Sequence, residues 1–454
     1  MSQSLLLHNS TANPLSAPNR ALQRHSEERS ARPGALAAFA KRLLLGRLVR
    51  LEVGSVVLMD GQQAHAFGTL HPDFPEPVRV SVRSPQAYVD LCFGGSIGAA
   101  EAYARGHWTC AEPATLARIF ARNRGALWQL DSGLAQLTKP AARLAHALQR
   151  NTLSGSRRNI EAHYDLGNDF YSQFLDETLS YSAAVFESPD QALFDASVNK
   201  LERVCRKLDL KPTDHLVEIG SGWGALAVHA AEHFGCRVTT TTLSREQYRL
   251  ARQRVAQAGM DDRIEVLLRD YRDLPLLVES QGRFDKLVSI EMVEAVGHQY
   301  LSDYFQVCER LLKPDGLMLI QAITIRDQRF EAHKHNVDFI KRYIFPGSCI
   351  PSLTALSEAC SRTDLKLIGL EDISSHYALT LRHWRERFMA RRGEIAALGY
   401  GEEFLRLWEW YLAYCEGAFS ERYIGNAQLL YEGPMRRSDA PLTPTSAIGL
   451  GEIS

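Results

Sequence analysis

Val217-Glu218-Ile219-Gly220-Ser221-Gly222-Trp223-Gly224-Ala225-Leu226-Ala227 reads as a buried strand that breaks into a glycine turn and then opens a helix. Three glycines let the backbone turn and pass close to a ligand without Cβ clashes, and the amides of the new helix point at whatever sits there. That is the pattern of a nucleotide-cofactor loop. In a dinucleotide fold an acid ends the second strand and holds a ribose. Here the next strand, 237–243, runs out through Thr242-Leu243-Ser244 without a carboxylate. Glu218, just ahead of the glycines, instead suits a ligand carrying positive charge, such as the amino group of S-adenosylmethionine. Many strand-helix turns look like this loop and bind nothing, so the weight falls on the chain around it.

Outward from the loop, strands and helices alternate: strand 215–220, helix 223–233, strand 237–243, helix 244–258, strands 264–270 and 284–290, helix 299–312 and strand 316–324. Helix 352–363, strand 365–373, two amphipathic helices within 379–422 and a strand near 426–432 follow. Such alternation predicts an α/β fold with a mostly parallel sheet covered on both faces. Ligands bind at the carboxyl ends of such strands. The apolar insertion 326–351, with Phe330, Phe339, Tyr343, Ile344 and Phe345, is therefore placed to wall a pocket, unless it is a surface excursion with its own small core.

Upstream, residues 1–34 are rich in Ser, Asn, Arg and Pro without periodicity and are expected to be a disordered tail. Residues 35–121 show alternating runs such as Val78-Arg79-Val80-Ser81-Val82, with helical segments on either side, and predict a smaller α+β amino-terminal domain. Residues 122–157 read as a helical linker, 158–432 as the catalytic domain and 433–454 as a flexible tail. Within 34–51, Lys41, Arg42, Arg47 and Arg50 stand beside Leu43, Leu44, Leu45 and Leu48. Two readings stay open for this helix: it lies on an anionic membrane surface, or it covers its own domain.

At 454 residues the chain is long enough for two cores. Lys plus Arg number 52 and Asp plus Glu 53, so no global charge favours nucleic acid. The 8 cysteines are dispersed without metal-ligand spacing, which predicts no metal site and a reducing, cytoplasmic setting. No apolar run approaches the ~20 residues of a membrane span, so membrane contact is expected to be peripheral, at the inner face.

Five motifs in order narrow the function. They are His163-Tyr164-Asp165-Leu166-Gly167-Asn168-Asp169-Phe170-Tyr171, Leu179-Ser180-Tyr181-Ser182-Ala183, the glycine loop, Thr242-Leu243-Ser244-Arg245-Glu246-Gln247 and the segment 339–347. With them the chain resembles the cyclopropane-fatty-acyl-phospholipid synthases and the related mycolic acid methyltransferases over about 158–432. The stretch from Gly94 to Trp108 resembles the amino-terminal domain of the phospholipid enzymes.

The resemblance implies a seven-stranded S-adenosylmethionine-dependent methyltransferase sheet. It also implies methyl transfer to the cis double bond of an unsaturated phospholipid acyl chain, followed by proton loss and closure of a cyclopropane ring. By the same resemblance Tyr164, Tyr181, Ser182, Glu218, Gly220, Gly222, Thr242, Leu243, Gln247, Asp270 and Tyr271 hold the cofactor. A bicarbonate base is held by Glu294, Tyr377 and the position of Gln321. A homodimer at the membrane surface is compatible with it.

This chain departs from the family pattern at Ala183, where the family has Cys, and at Ala295 and Gln321, where it has His. Gln321 still hydrogen-bonds an anion but does not titrate. The departures bear on bicarbonate and ring closure, and admit a methyl-branched or methylene product. A methyltransferase for a small soluble N or O acceptor, or a non-catalytic lipid-binding protein, are the competing classes; the apolar insertion speaks against the first and an intact Glu218, Gly220 and Gly222 against the second.

Overall fold

The structure, a computed structural model, describes residues 34–123 and 166–437. The amino-terminal unit has helix α1 (Ala35–Leu48), strands β1 (Gly54–Asp60), β2 (Gln63–Thr69) and β3 (Val78–Val82), helix α2 (Gln86–Ala104), strand β4 (Trp108–Cys110) and helix α3 (Pro113–Arg122). Its sheet runs β2-β1-β3-β4. Of the two readings left open for α1, the packing supports the second: Leu44 and Leu48 are 5% and 4% exposed and face the domain's core. Leu36 and Phe39, by contrast, are exposed. Lys41 is tied to Asp60 at 2.6 Å.

In the larger unit a single helical turn, Asn168–Tyr171, precedes helix α4 (Leu193–Lys207), β5 (His215–Ile219), α5 (Ala225–Phe234), β6 (Arg237–Thr242), α6 (Arg245–Gln257), β7 (Ile264–Leu268), a short helix at Pro275–Gln281 and β8 (Phe284–Ile290). It continues with α7 (Leu301–Leu311), β9 (Leu312–Ile325), β10 (Lys366–Asp372), α8 (Ser374–Ala390), α9 (Glu402–Ser420) and β11 (Ile424–Glu432). The seven strands are ordered β10-β11-β9-β8-β5-β6-β7. β5, β6, β7, β8 and β9 pair in parallel, while β11 is antiparallel to β9 and β10. Every residue of β5 is buried, which is why that segment reads as an apolar run rather than an alternation. α5 is bracketed by left-handed glycines, Gly224 at φ +90° and Gly235 at φ +70°, which start and stop it sharply.

Of the boundaries that moved, those of α8 and β9 moved furthest at their starts. α8 begins at Ser374, upstream of the expected 379, because the Asp372 carboxylate accepts from the Ser374 amide at 2.8 Å and caps the turn. β9 begins at Leu312 rather than 316. The two units share one core: α3 packs on α9, where a Cβ on Gly417 would lie 2.7 Å from the Ala117 side chain, so only glycine permits that approach. Glu421 then receives Arg118 and Arg122 at 2.8 and 2.5 Å.

Candidate active site

Strand order reverses between β5 and β8, which opens a crevice at their carboxyl ends, the usual place for a ligand in an open α/β sheet. A pocket of about 180 Å³ sits there. It is lined by Glu218, Gly220 and Gly222 from the glycine loop, by Thr242, Leu243 and Gln247 after β6, by Asp270 and Tyr271 after β7, and by Tyr181 and Ser182 from the segment ahead of α4. Ten of the eleven residues expected to hold the cofactor therefore meet in one place; Tyr164 lies outside the described residues.

Local chemistry explains the shape. Thr242 donates its hydroxyl proton to Gln247 Oε1 at 2.8 Å, and Ser244 caps α6 by accepting from the Gln247 amide at 3.3 Å. The Asp270 carboxylate is clasped by Arg272 at 2.6 Å. Glu218 is 3% exposed and accepts from Thr240 at 2.5 Å. Burial pushes its pKa up to about 7, against the lowering pull of Thr240 and Lys200. A cationic group beside it would hold it ionised. Gly220 and Gly222 have φ of +98° and +49°, a region that disfavours a side chain. Because a Cβ on Gly222 meets no protein atom within 4 Å, it would project into the ligand space rather than break the core. A Gly222→Val variant is therefore expected to stay folded and lose S-adenosylmethionine affinity by more than tenfold in calorimetry; unchanged affinity would make the turn purely structural.

The carboxylate chemistry differs from the sequence expectation. Glu291, not Glu294, lines the cofactor pocket. It is the first residue beyond β8 and sits at φ +49°, an unusual conformation for a residue with a Cβ. Four donors converge on its side chain. The Ala183 amide lies 3.0 Å, Gln321 Nε2 2.8 Å and Asn426 Nδ2 2.5 Å from Oε1, and the Tyr377 hydroxyl lies 2.9 Å from Oε2. Tyr377 and Gln321, two of the three side chains expected to hold bicarbonate, are thus engaged by Glu291, a carboxylate of the chain itself. A carboxylate has about four acceptor positions, and with three donors on Oε1 and one on Oε2, a lone pair of Oε2 stays available. Burial raises the pKa of Glu291 and the four hydrogen bonds oppose that shift, so its proton affinity exceeds that of an exposed glutamate.

Glu294 stands behind this centre. Its Oε1 accepts from the Ile323 amide at 2.5 Å, and Oε2 has no hydrogen-bond partner among the described residues. Burial, then the charge of Glu291, pushes its pKa up to about 8. A folded-state pKa above the ordinary 4.5 means a contribution to stability that is complete below about 4.5 and lost as pH rises through about 8. Glu294→Gln, which stays neutral, is expected to gain thermal stability relative to the parent as pH goes from 5 to 9. A melting-temperature difference that does not change over that range would show that Glu294 does not titrate in this window.

Lys200 of α4, 2% exposed, reaches Ser182 Oγ at 3.1 Å. Burial lowers its pKa, while Glu291, Asp176 and Glu218 raise it, so one cation serves three carboxylates. Around the Glu291 side of the pocket, aromatic rings close ranks. Tyr181 packs on Trp384 at 5.2 Å and on Phe345 at 6.2 Å, Tyr377 lies 4.3 Å from Phe419, and the Tyr181 and Tyr411 hydroxyls are 2.8 Å apart. The insertion thus backs the site through Phe345 on Tyr181, while none of residues 326–351 lines the cofactor pocket itself. Ring faces stabilise positive charge on carbon without capturing it.

Sequence reasoning set Glu291 and Glu294 together at the cofactor edge, right after strand 284–290, but gave the role to Glu294; Lys200 and Asn426 it missed, and neither left a readable signal.

A parallel sheet of this order with a glycine loop, a buried acid ahead of it and a hydroxyl-amide pair after the second strand defines a nucleotide-cofactor enzyme of the methyltransferase kind. The model of the mycolic acid cyclopropane synthetase family matches residues 151–429, and the chain belongs to that family. It is 38% identical over 412 residues to the tuberculostearic acid methyltransferase UfaA1 of Mycobacterium tuberculosis, covering 88% of this chain and 92% of the relative. It is 36% identical over 358 residues to the cyclopropane-fatty-acyl-phospholipid synthase of Escherichia coli K12, covering 78% and 88%. The structure of the mycolic acid cyclopropane synthase CmaA1 complexed with SAH and CTAB superposes with a TM-score of 0.55 at 32% identity, over 61% of this chain and 98% of that one. The sheet is that of the S-adenosylmethionine-dependent methyltransferases, as expected. S-adenosylmethionine is the cofactor, and the chain is a lipid-modifying methyltransferase of this family. Among the described residues no helix is long and apolar enough to cross a membrane.

Proposed function

We propose that the chain methylates the cis double bond of an unsaturated phospholipid acyl chain at the inner membrane surface, with Glu291 as the proton acceptor, and that a cyclopropane ring closes. The convergence of four donors on Glu291 at the mouth of the cofactor pocket carries this reading. Bound S-adenosylmethionine supplies an electrophilic methyl group. An alkene has no proton to give up at the start, so the protein's first task is alignment and exclusion of water, which the rings of Tyr181, Trp384, Phe345 and Phe419 perform. As the alkene carbon bonds to the methyl, positive charge develops on the acyl chain. The ring faces and the Glu291 carboxylate oppose it. The proton lost afterwards goes to Oε2 of Glu291, while Tyr377, Gln321, Asn426 and the Ala183 amide keep that carboxylate in place. The balance is a net gain of one CH₂, with no oxidant or reductant consumed.

A second reading shares every step except the last. UfaA1, which aligns with most of this chain, is named for methylation to tuberculostearic acid. Loss of the proton after a hydride shift gives a methylene or branched unsaturated chain of the same mass; a saturated methyl branch requires a separate reductant. Mass spectrometry of lipids from cells with and without the protein tests both readings. A one-CH₂ gain that resists hydrogenation is the ring, and one that takes up hydrogen is the alkene. Acyl chains of unchanged mass in both samples would overturn the acyl-methylation reading.

A further inference from the structure

A second cavity, of about 250 Å³, lies between the amino-terminal unit and α9. Among the described residues that line it there is no Asp, Glu, Lys, Arg or His. Its polar atoms are largely occupied. The Tyr88 hydroxyl donates to Asp60 at 2.8 Å and the Trp108 indole N–H to the Ala99 carbonyl at 3.1 Å, so the surface offered is hydrocarbon and aromatic ring. The floor is built from Leu44 and Leu48 of α1.

The far wall is α9, and that helix has two working faces. Trp410, Tyr414 and Ala418, at i, i+4 and i+8, line this cavity. Tyr411 and Phe419, one position on, meet Tyr181 and Tyr377 at the reaction centre. Phe339 of the insertion also lines the cavity, while Phe345 packs on Tyr181. The cavity and the aromatic cluster beside Glu291 therefore lie on two faces of one helix about 10 Å across.

We infer that the cavity is a second acyl-chain site, which takes the companion chain of a diacyl lipid while the unsaturated chain lies in the reaction centre. The two chains of one diacyl lipid share a headgroup, so a protein that draws one from a bilayer must shelter the other, and an adjoining hydrocarbon chamber does so. Its capacity fits a segment on the order of ten carbons, given that a dry apolar cavity of ~150 Å³ holds benzene. The inference rests on the reading that the substrate is a diacyl lipid, and its test is independent of turnover.

Trp108 and Trp410 both face the cavity, 5.1 Å apart. Full-length protein is titrated with a phospholipid whose saturated chain is dibrominated and whose other chain is monounsaturated, and tryptophan fluorescence is followed. Strong quenching is expected, reduced by more than half in a Trp108→Phe, Trp410→Phe double variant. Ala121→Phe, which fills the cavity, is expected to lower kcat/KM for the diacyl lipid more than tenfold, yet to leave activity on the monounsaturated lysophospholipid and S-adenosylmethionine affinity within twofold. Equal quenching in the double variant and the parent, or equal loss on diacyl and lyso substrates, overturns the inference. Absence of methyl transfer to either substrate by the parent protein, alongside normal quenching, would overturn the proposed reaction and leave the acyl site standing.

Discussion

Glu291→Gln is expected to lower kcat by roughly 10²- to 10⁴-fold, the span that a positioned general base contributes, while S-adenosylmethionine affinity stays within a few fold. Gln keeps the side-chain shape but takes no proton and brings no charge to oppose the developing cation. The loss should therefore appear in the chemical step rather than in ground-state binding. Single-turnover transfer of labelled methyl at saturating cofactor measures the first quantity and calorimetry the second. Glu291→Asp keeps the base but shortens its reach from a backbone already held at φ +49°, and should fall between the two. A Gln variant that turns over within threefold of the parent would remove Glu291 from the mechanism and return attention to an exogenous anion. Added bicarbonate is not expected to raise the parent's rate, because Ala183, Gln321, Tyr377 and Asn426 already hold the carboxylate of Glu291.

Lys200→Met carries the second effect, a loss of stability on the order of 1–3 kcal/mol at neutral pH, as the buried Ser182 hydroxyl loses its donor and the nearby acids lose their cation. Lys200 lies among Glu291, Asp176 and Glu218, the last two buried and Glu291 half-buried at the pocket. Without the ammonium, the folded-state proton affinity of these acids rises further. A group with a raised folded pKa loses its stabilising contribution as pH climbs, so the deficit should be small below the ordinary glutamate value of 4.5 and grow above it. Urea unfolding at several pH values reads this directly. The acid limb of the kcat profile should also move to higher pH, since Glu291 must lose its proton before it accepts one. An unfolding midpoint equal to that of the parent at pH 7 would show that the lysine does not compensate these acids.

Glu291 and Glu294 mark the limit of what was legible in the site. Both stand within four residues after β8, and the linear sequence offers no ground for choosing between them except resemblance, which pointed to Glu294. The choice is made by a left-handed backbone at Glu291 and by donors that come from the segment ahead of α4 and from β9, α8 and β11. Such donors meet only after the sheet has assembled. Lys200 was hidden for the same reason, because a lysine on an amphipathic helix ordinarily reads as solvated until burial shows otherwise.

The sequence by itself determined the alternation of strands and helices and the glycine loop, because each depends on periodicity or turn chemistry within a few residues; the set of residues around the cofactor was legible through the resemblance of ordered motifs. Tertiary structure alone decided three things. It turned Leu44 and Leu48 of α1 inward, where local amphipathicity allowed either orientation. It placed a carboxylate of the chain where a free anion was expected. It gave α9 two faces, one on the cavity and one on the aromatic cluster beside Glu291, through the close approach of Gly417 to α3. All three depend on contacts between segments far apart in the chain, where packing and burial rather than local propensity set the free energy.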